Sequence, residues 1–291
     1  MLYPCVSWTD RLGSLVLAIQ KENNRMIDIS GIDYSQLDKP QILNFVFHPR
    51  PEMTLGASSS EHDLLIPTEK DVAIGARFHL TDTSAANILF FHGNGEIVGD
   101  YDDLGALYNR EGINFMAVDY RGYGRSSGAP TITGMMRDCH LIFEFTRKWL
   151  EMNGCEGPLI VMGRSLGSAS ALELAAHYPN EIDGLVIESG FAYAVPLLKL
   201  LGIDTNCLGI KEDQGFRNID KIRGFGKPTL IIHAERDHII PFSDGQALYD
   251  ACPAEQKALL KIPQANHNDI FMRGMEAYMA AIKELTQIIS K

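Results

Sequence analysis

The sequence predicts an α/β chain whose mainly parallel sheet is covered by helices on both faces. Two patterns predict it. From about residue 61 onward, short apolar runs alternate with stretches at helical spacing, an order that puts crossover helices between parallel strands. The runs Ile88-Leu-Phe-Phe91 and Leu230-Ile-Ile232 are unbroken apolar stretches, as strands buried on both faces should be.

The elements follow in order. Residues 1–60 read as an irregular N-terminal extension ending in Gly56-Ala-Ser-Ser-Ser60, a loop signal ahead of a main domain over 61–291. Within it, Leu12-Gly-Ser-Leu-Val-Leu-Ala-Ile19 reads as a short helix. It is too short to span a bilayer and lacks a small-residue cleavage site, so neither stable membrane insertion nor a secretory signal is expected. Strands are expected at 63–67, 72–80, 87–91, 114–118, 159–162, 185–187, 229–233 and 258–262. The first two are joined by a short turn and should pair antiparallel at the sheet edge. Helices are expected near 99–111, 133–153, 166–178, 243–252 and 270–289. The interval 189–226 holds no strand and reads as a cap insertion, since a connection this long inside a compact domain is usually functional. In it Phe191, Val195, Leu198 and Leu201 recur near helical spacing. That apolar face either packs on the helices of the sheet or roofs a pocket for an acyl group. Met135 and Met136, and Met272, Met275 and Met279 at helical spacing, read as core filler.

Composition excludes some classes of function. With 26 basic residues against 37 acidic ones the net charge is −11, and no Lys/Arg cluster offers itself to phosphates, so nucleic-acid binding is not expected. Five scattered cysteines without a C-x-x-C pair suit reduced, mostly packing thiols in the cytoplasm. No His/Cys/Glu grouping has metal-ligand spacing, and the Gly93-Asn-Gly95 loop lacks the Lys and Ser/Thr of a phosphate cradle. Neither a metal nor an organic cofactor is expected.

Open parallel sheets bind ligands outside the carboxyl ends of their strands. There the sequence places His92-Gly-Asn-Gly95, Asp119-Tyr-Arg-Gly-Tyr-Gly-Arg-Ser126, Gly163-Arg-Ser-Leu-Gly167, Glu235-Arg-Asp237 and Asn266-His-Asn-Asp269. Serine is a weak nucleophile unless a base takes its proton. Ser165 sits between two glycines at a strand-to-helix corner, and His267, the last histidine, follows the final strand. Asp237 would orient the imidazole and stabilise its cation, with Glu188 and Asp244 as rival acids. Charge on the attacked carbonyl oxygen needs fixed donors, for which the backbone N–H groups of Leu166 and Asn94 are the candidates. His92 reads as a brace for the oxyanion loop, while His233 and His238 pack or face solvent. The glycines of the 119–126 stretch suit a tight turn, with Tyr120 or Arg121 tying loops together.

Together these motifs resemble the α/β-hydrolase superfamily, from about Glu61 to the C-terminus. More narrowly, the chain is similar to the branch of small serine hydrolases that includes eukaryotic protein depalmitoylases; Asn266 stands where that family often has glycine. The resemblance implies an eight-stranded α/β-hydrolase fold with a short cap and a triad on Ser165, Asp237 and His267. It also implies cleavage of esters or thioesters of acyl or other small-molecule substrates, with Phe191, Leu198 and Leu201 as candidate substrate contacts. Two other functions stay open: a serine peptidase of the aminopeptidase or prolyl-oligopeptidase type, and a non-catalytic binding protein on the same fold.

Overall fold

The computed structural model describes residues 29–52 and 63–290; the run at 12–19 and the Gly56 loop lie outside them. Among these residues eight strands form one sheet in the order β1-β2-β4-β3-β5-β6-β7-β8. The strands are β1 (Asp63–Glu69), β2 (Val72–His79), β3 (Ala86–Phe91), β4 (Ile113–Val118), β5 (Leu159–Arg164), β6 (Gly184–Glu188), β7 (Thr229–Ala234) and β8 (Lys257–Ile262). β2 runs antiparallel to both β1 and β4, and the remaining pairs are parallel. The helices are α1 (Pro40–Val46), α2 (Asp102–Arg110), α3 (Ile132–Met152), α4 (Gly167–His177), α5 (Ala194–Leu200), α6 (Asn218–Ile222), α7 (Phe242–Ala251) and α8 (Ile270–Ile289).

The period of two along a strand makes both cores. Leu89 and Phe91 of β3 enter one apolar cluster, with Met135, Met136 and Phe143 of α3 and Leu172 of α4. Ile88 and Phe90 enter the other, with Tyr108 of α2 and Tyr278 and Ile282 of α8. Successive side chains of a strand point to opposite faces, so an unbroken apolar run serves both layers. The edge strand β1 alternates between buried and open positions instead. Thr131 caps the start of α3: its hydroxyl accepts the Gly134 N–H at 2.8 Å, satisfying a donor the helix cannot pair internally.

Two expectations change. The N-terminal segment is not simply irregular: α1 buries Ile42 and Val46, one turn apart, and Leu37 and Phe47 join the same cluster as the main sheet. Polar contacts fix it as well. The Tyr34 hydroxyl donates to Glu173 of α4 at 3.3 Å, and the Lys221 ammonium of α6 donates to Tyr34 at 3.1 Å. The methionines of α8 also divide. Met279 is buried, whereas Met272 and Met275 are exposed. They flank Gly274, where the backbone leaves helical geometry, so the helical spacing does not keep all three on one buried face. Met135 and Met136 are buried as expected.

From β3 the chain crosses to β4 on one side, and β5 lies on the other. That reversal opens a crevice beyond the ends of β3 and β5. Phe91 is in register with Gly163, so the His92-Gly-Asn-Gly loop and the Ser165 corner emerge side by side.

Candidate active site

The corner between β5 and α4 is the centre of the site. Ser165 has a φ of 51°, a left-handed conformation that costs a residue with a side chain on the order of 1–3 kcal/mol. Its glycines permit the close approach around it. A Cβ on Gly163 would stand 2.3 Å from the carbonyl oxygen of Gly167, and one on Gly167 would stand 2.1 Å from that of Phe91. The first glycine lets the strand meet the helix; the second lets the helix pack on β3.

Ser165 Oγ lies 2.9 Å from His267 Nε2, and His267 Nδ1 lies 2.7 Å from Asp237 Oδ2. The other oxygen of Asp237 accepts the N–H groups of Ile239 and Ile240 at 3.0 and 2.8 Å. Burial pushes the Asp237 carboxyl up, but the bond from His267 and these two N–H groups outweigh it and hold it below the usual carboxylate range. An ionised Asp237 favours the tautomer with the proton on Nδ1, which leaves Nε2 to accept the serine proton. All three side chains are buried or nearly so.

The rival acids are engaged elsewhere. Glu188 stands in register with Arg164, accepts its Nε–H at 3.0 Å and accepts the Tyr278 hydroxyl at 2.7 Å. Asp244 accepts the Ala192 N–H at 2.8 Å, which pins the start of the insertion. Burial raises the pKa of both carboxyls.

The Asn94 side chain is tied down through both its oxygen and its nitrogen. Its Oδ1 accepts the His48 N–H at 2.8 Å and the Tyr123 hydroxyl at 2.7 Å, and its amide nitrogen lies 2.8 Å from His48 Nδ1. Among the described residues, neither the Asn94 nor the Leu166 backbone N–H donates to a protein acceptor. Leu166 is also the N-cap of α4, whose N-terminal dipole favours an anion. His92 braces the loop: Nδ1 is 2.7 Å from the Gly93 carbonyl, Nε2 is 3.2 Å from Asp119, and Tyr120 donates to the His92 carbonyl at 2.6 Å. Arg121 ties Asp138 to Glu69, at 2.7 and 2.8 Å. His233 is buried 3.6 Å from Asp237, and His238 is exposed.

The insertion carries α5 and α6. Phe191 and Leu198 are fully buried in the apolar cluster that also holds Ile203, Ile210 and Phe216, and Leu201 is half-buried against it. The ring of Phe191 meets that of Phe216 at 5.2 Å.

Sequence reasoning missed Arg164 and Glu96. Arg164 donates to Glu96, to Glu188 and to the His267 carbonyl, while Glu96 accepts the Gly93 N–H at 2.6 Å. The signal available was an arginine between a buried strand and the corner serine, since a charge there must find partners. A second grouping escaped notice because its members lie far apart in the chain. His140, Glu173 and His177 bring potential ligand atoms within 4.8 Å of one another. The same carboxylate is held 2.6 Å from the Lys221 ammonium, so a protein cation already balances its charge.

The family described as serine aminopeptidase, S33, matches residues 82–202. Human alpha/beta hydrolase domain-containing protein 17B is 33% identical over 70% of this chain and 66% of its own length. Alpha/beta hydrolase domain-containing protein 17C of Xenopus tropicalis is 31% identical over 77% of this chain and 68% of its own length. The chain thus spans about two thirds of the length of these relatives. Two solved structures share the fold. An esterase of Pyrococcus furiosus has a TM-score of 0.65 and 19% identity, covering 82% of this chain and 98% of that one. A monoacylglycerol lipase of Paleococcus ferrophilus has a TM-score of 0.59 and 21% identity, covering 74% and 98%. The chain belongs to the α/β-hydrolase family of enzymes, in the branch of the domain-containing 17 proteins. No described helix is long and apolar enough to cross a membrane.

Proposed function

We propose that this protein is a serine hydrolase that cleaves carboxylic esters or thioesters through an acyl-enzyme. The observation that carries the proposal is the line Ser165–His267–Asp237, with contacts of 2.9 and 2.7 Å. Ser165 Oγ attacks the carbonyl carbon as His267 Nε2 takes its proton. Negative charge collects on the carbonyl oxygen, where the N–H groups of Asn94 and Leu166 receive it. Collapse breaks the bond to the alcohol or thiol, which leaves with the proton returned by His267. Water then attacks the acyl carbon with the same base, releasing the acid and restoring the serine.

In this reading Leu201, half-buried, is the insertion's contact for the acyl chain, while Phe191 and Leu198 are packed in the cluster it rests against and support it from within. The unpaired Cys139, Cys155, Cys207 and Cys252 support a reducing, cytoplasmic setting. An aminopeptidase, the reading favoured by the name of the matching family, needs a carboxylate for the substrate ammonium. Glu96, Glu188 and Asp244 around this end of the sheet are each held by protein donors, which favours the ester reading.

The test is a fluorophosphonate label followed by a panel of acyl esters, acyl thioesters and amino-acid amides, with Ser165→Ala as blank. Labelling together with turnover of esters or thioesters above the blank is expected. Turnover of the amides alone would move the assignment to a peptidase, and no labelling at all would remove the hydrolase reading.

A further inference from the structure

We propose that Arg164 and Glu96 form a positioning pair that sets the oxyanion loop and the histidine loop against Ser165. The inference rests on the hydrolase reading and deepens it.

Arg164 directly precedes Ser165, and its guanidinium reaches three separate segments. Nε donates to Glu188 Oε1 at 3.0 Å, Nη1 donates to Glu96, and Nη2 donates to the carbonyl oxygen of His267 at 2.8 Å. A rigid fork of five N–H donors can meet three acceptors in fixed directions, as a flexible ammonium cannot. Its side chain is only 11% exposed, so these bonds are shielded from water and hold their geometry.

Glu96 carries the connection to the oxyanion loop. One of its oxygens faces Arg164, while the other accepts the Gly93 N–H at 2.6 Å and the Tyr101 hydroxyl at 2.5 Å. Gly93 precedes Asn94, whose N–H is the proposed oxyanion donor. The packing leaves little slack: a Cβ on Gly93 would lie 2.7 Å from Arg164 Nη1 and 2.8 Å from Glu96 Oε2. One arginine therefore joins the residue before the nucleophile, the loop bearing an oxyanion donor and the backbone of the base. An oxyanion donor acts only where charge develops, so a small displacement costs the transition state and spares the bound substrate.

The experiment compares Glu96→Ala, Glu96→Gln and Arg164→Lys with the parent on an activated ester. It also measures inhibition by an alkyl boronic acid, whose tetrahedral serine adduct places an oxygen where the oxyanion would be. Glu96→Ala should lower kcat by about 100-fold, the scale of losing one oxyanion donor, with KM within about threefold. Boronate affinity should fall by a similar factor. Glu96→Gln keeps an oxygen for the Gly93 N–H but turns its amide NH2 toward Arg164, where a donor cannot replace the lost acceptor, so it should recover only part of the rate; Arg164→Lys should fall in the same range. A Glu96→Ala rate within about twofold of the parent overturns the proposal. So does a rate loss without loss of boronate affinity, or full recovery of the rate in Glu96→Gln, which would leave the Arg164 contact without a part in positioning. If the parent itself takes no fluorophosphonate label, the hydrolase reading fails first, and the two failures stay distinct.

Discussion

At the scale of residues, the site is a hydrogen-bonded line of Ser165, His267 and Asp237 beyond the ends of β5, β8 and β7. Ser165→Ala removes one oxygen from a glycine-flanked corner and little packing, so turnover of an activated ester should fall below a few per cent of the parent while thermal melting stays close to it. Asp237→Asn should lower kcat by up to about four orders of magnitude, because an amide favours the wrong imidazole tautomer. Glu188→Gln should affect the rate far less and the melting temperature more, since it weakens a buried contact to Arg164. Reversed effects would place the acid after β6. The order Ser, Asp, His at strand ends was enough to expect these three side chains side by side, as the structure has them. Arg164 and Glu96 were not legible as partners, because 68 residues separate them and neither lies in a repeating pattern.

At the scale of elements, strands buried on both faces were readable because their apolar runs are continuous. Helix α1 was not. It is seven residues long, lacks a side-chain N-cap bond and buries only two residues fully, too little for a period to emerge. The insertion was legible as an interruption but not as a surface. Leu198 is 2% exposed, so Leu198→Ala should cost about 2–5 kcal/mol of stability in chemical unfolding. Leu201 is half-buried, which makes Leu201→Asp the sharper probe of substrate selection. If this face holds the acyl chain, the parent should discriminate by up to roughly fourfold per methylene, from about 0.8 kcal/mol each, and Leu201→Asp should flatten that profile. An unchanged profile in folded protein would leave α5 as packing alone.

At the scale of the whole molecule, Glu173 joins the N-terminal segment, α3, α4 and α6. Burial pushes its carboxyl up, but the bond from His140 and the Lys221 ammonium overcome this and bring it down to about 2. A lowered carboxyl gives stability that is present above its unfolded pKa of about 4.3. That stability is lost as pH falls from there through the folded value. Urea midpoints measured from pH 6 down to pH 3 should therefore fall in the parent. In Glu173→Gln they should start lower and lose less over the same range. The variant leaves the buried Lys221 without its counter-charge, a change that typically costs about 3–5 kcal/mol. Equal acid sensitivity in both proteins would show that the network does not set the pH dependence.

The bond between Lys221 and Tyr34 also has a consequence for biosynthesis. The two residues are 187 positions apart, so a nascent chain makes the tyrosine long before its lysine partner exists. At about 5–20 residues per second, that interval is roughly 10–40 seconds. Throughout it α1 lacks the last element that fastens its segment, and the apolar side chains of Ile42 and Val46 must wait for a complete docking surface. Shielding by a ribosome-associated chaperone would matter most in that window, before the first described helix has a finished protein to close upon.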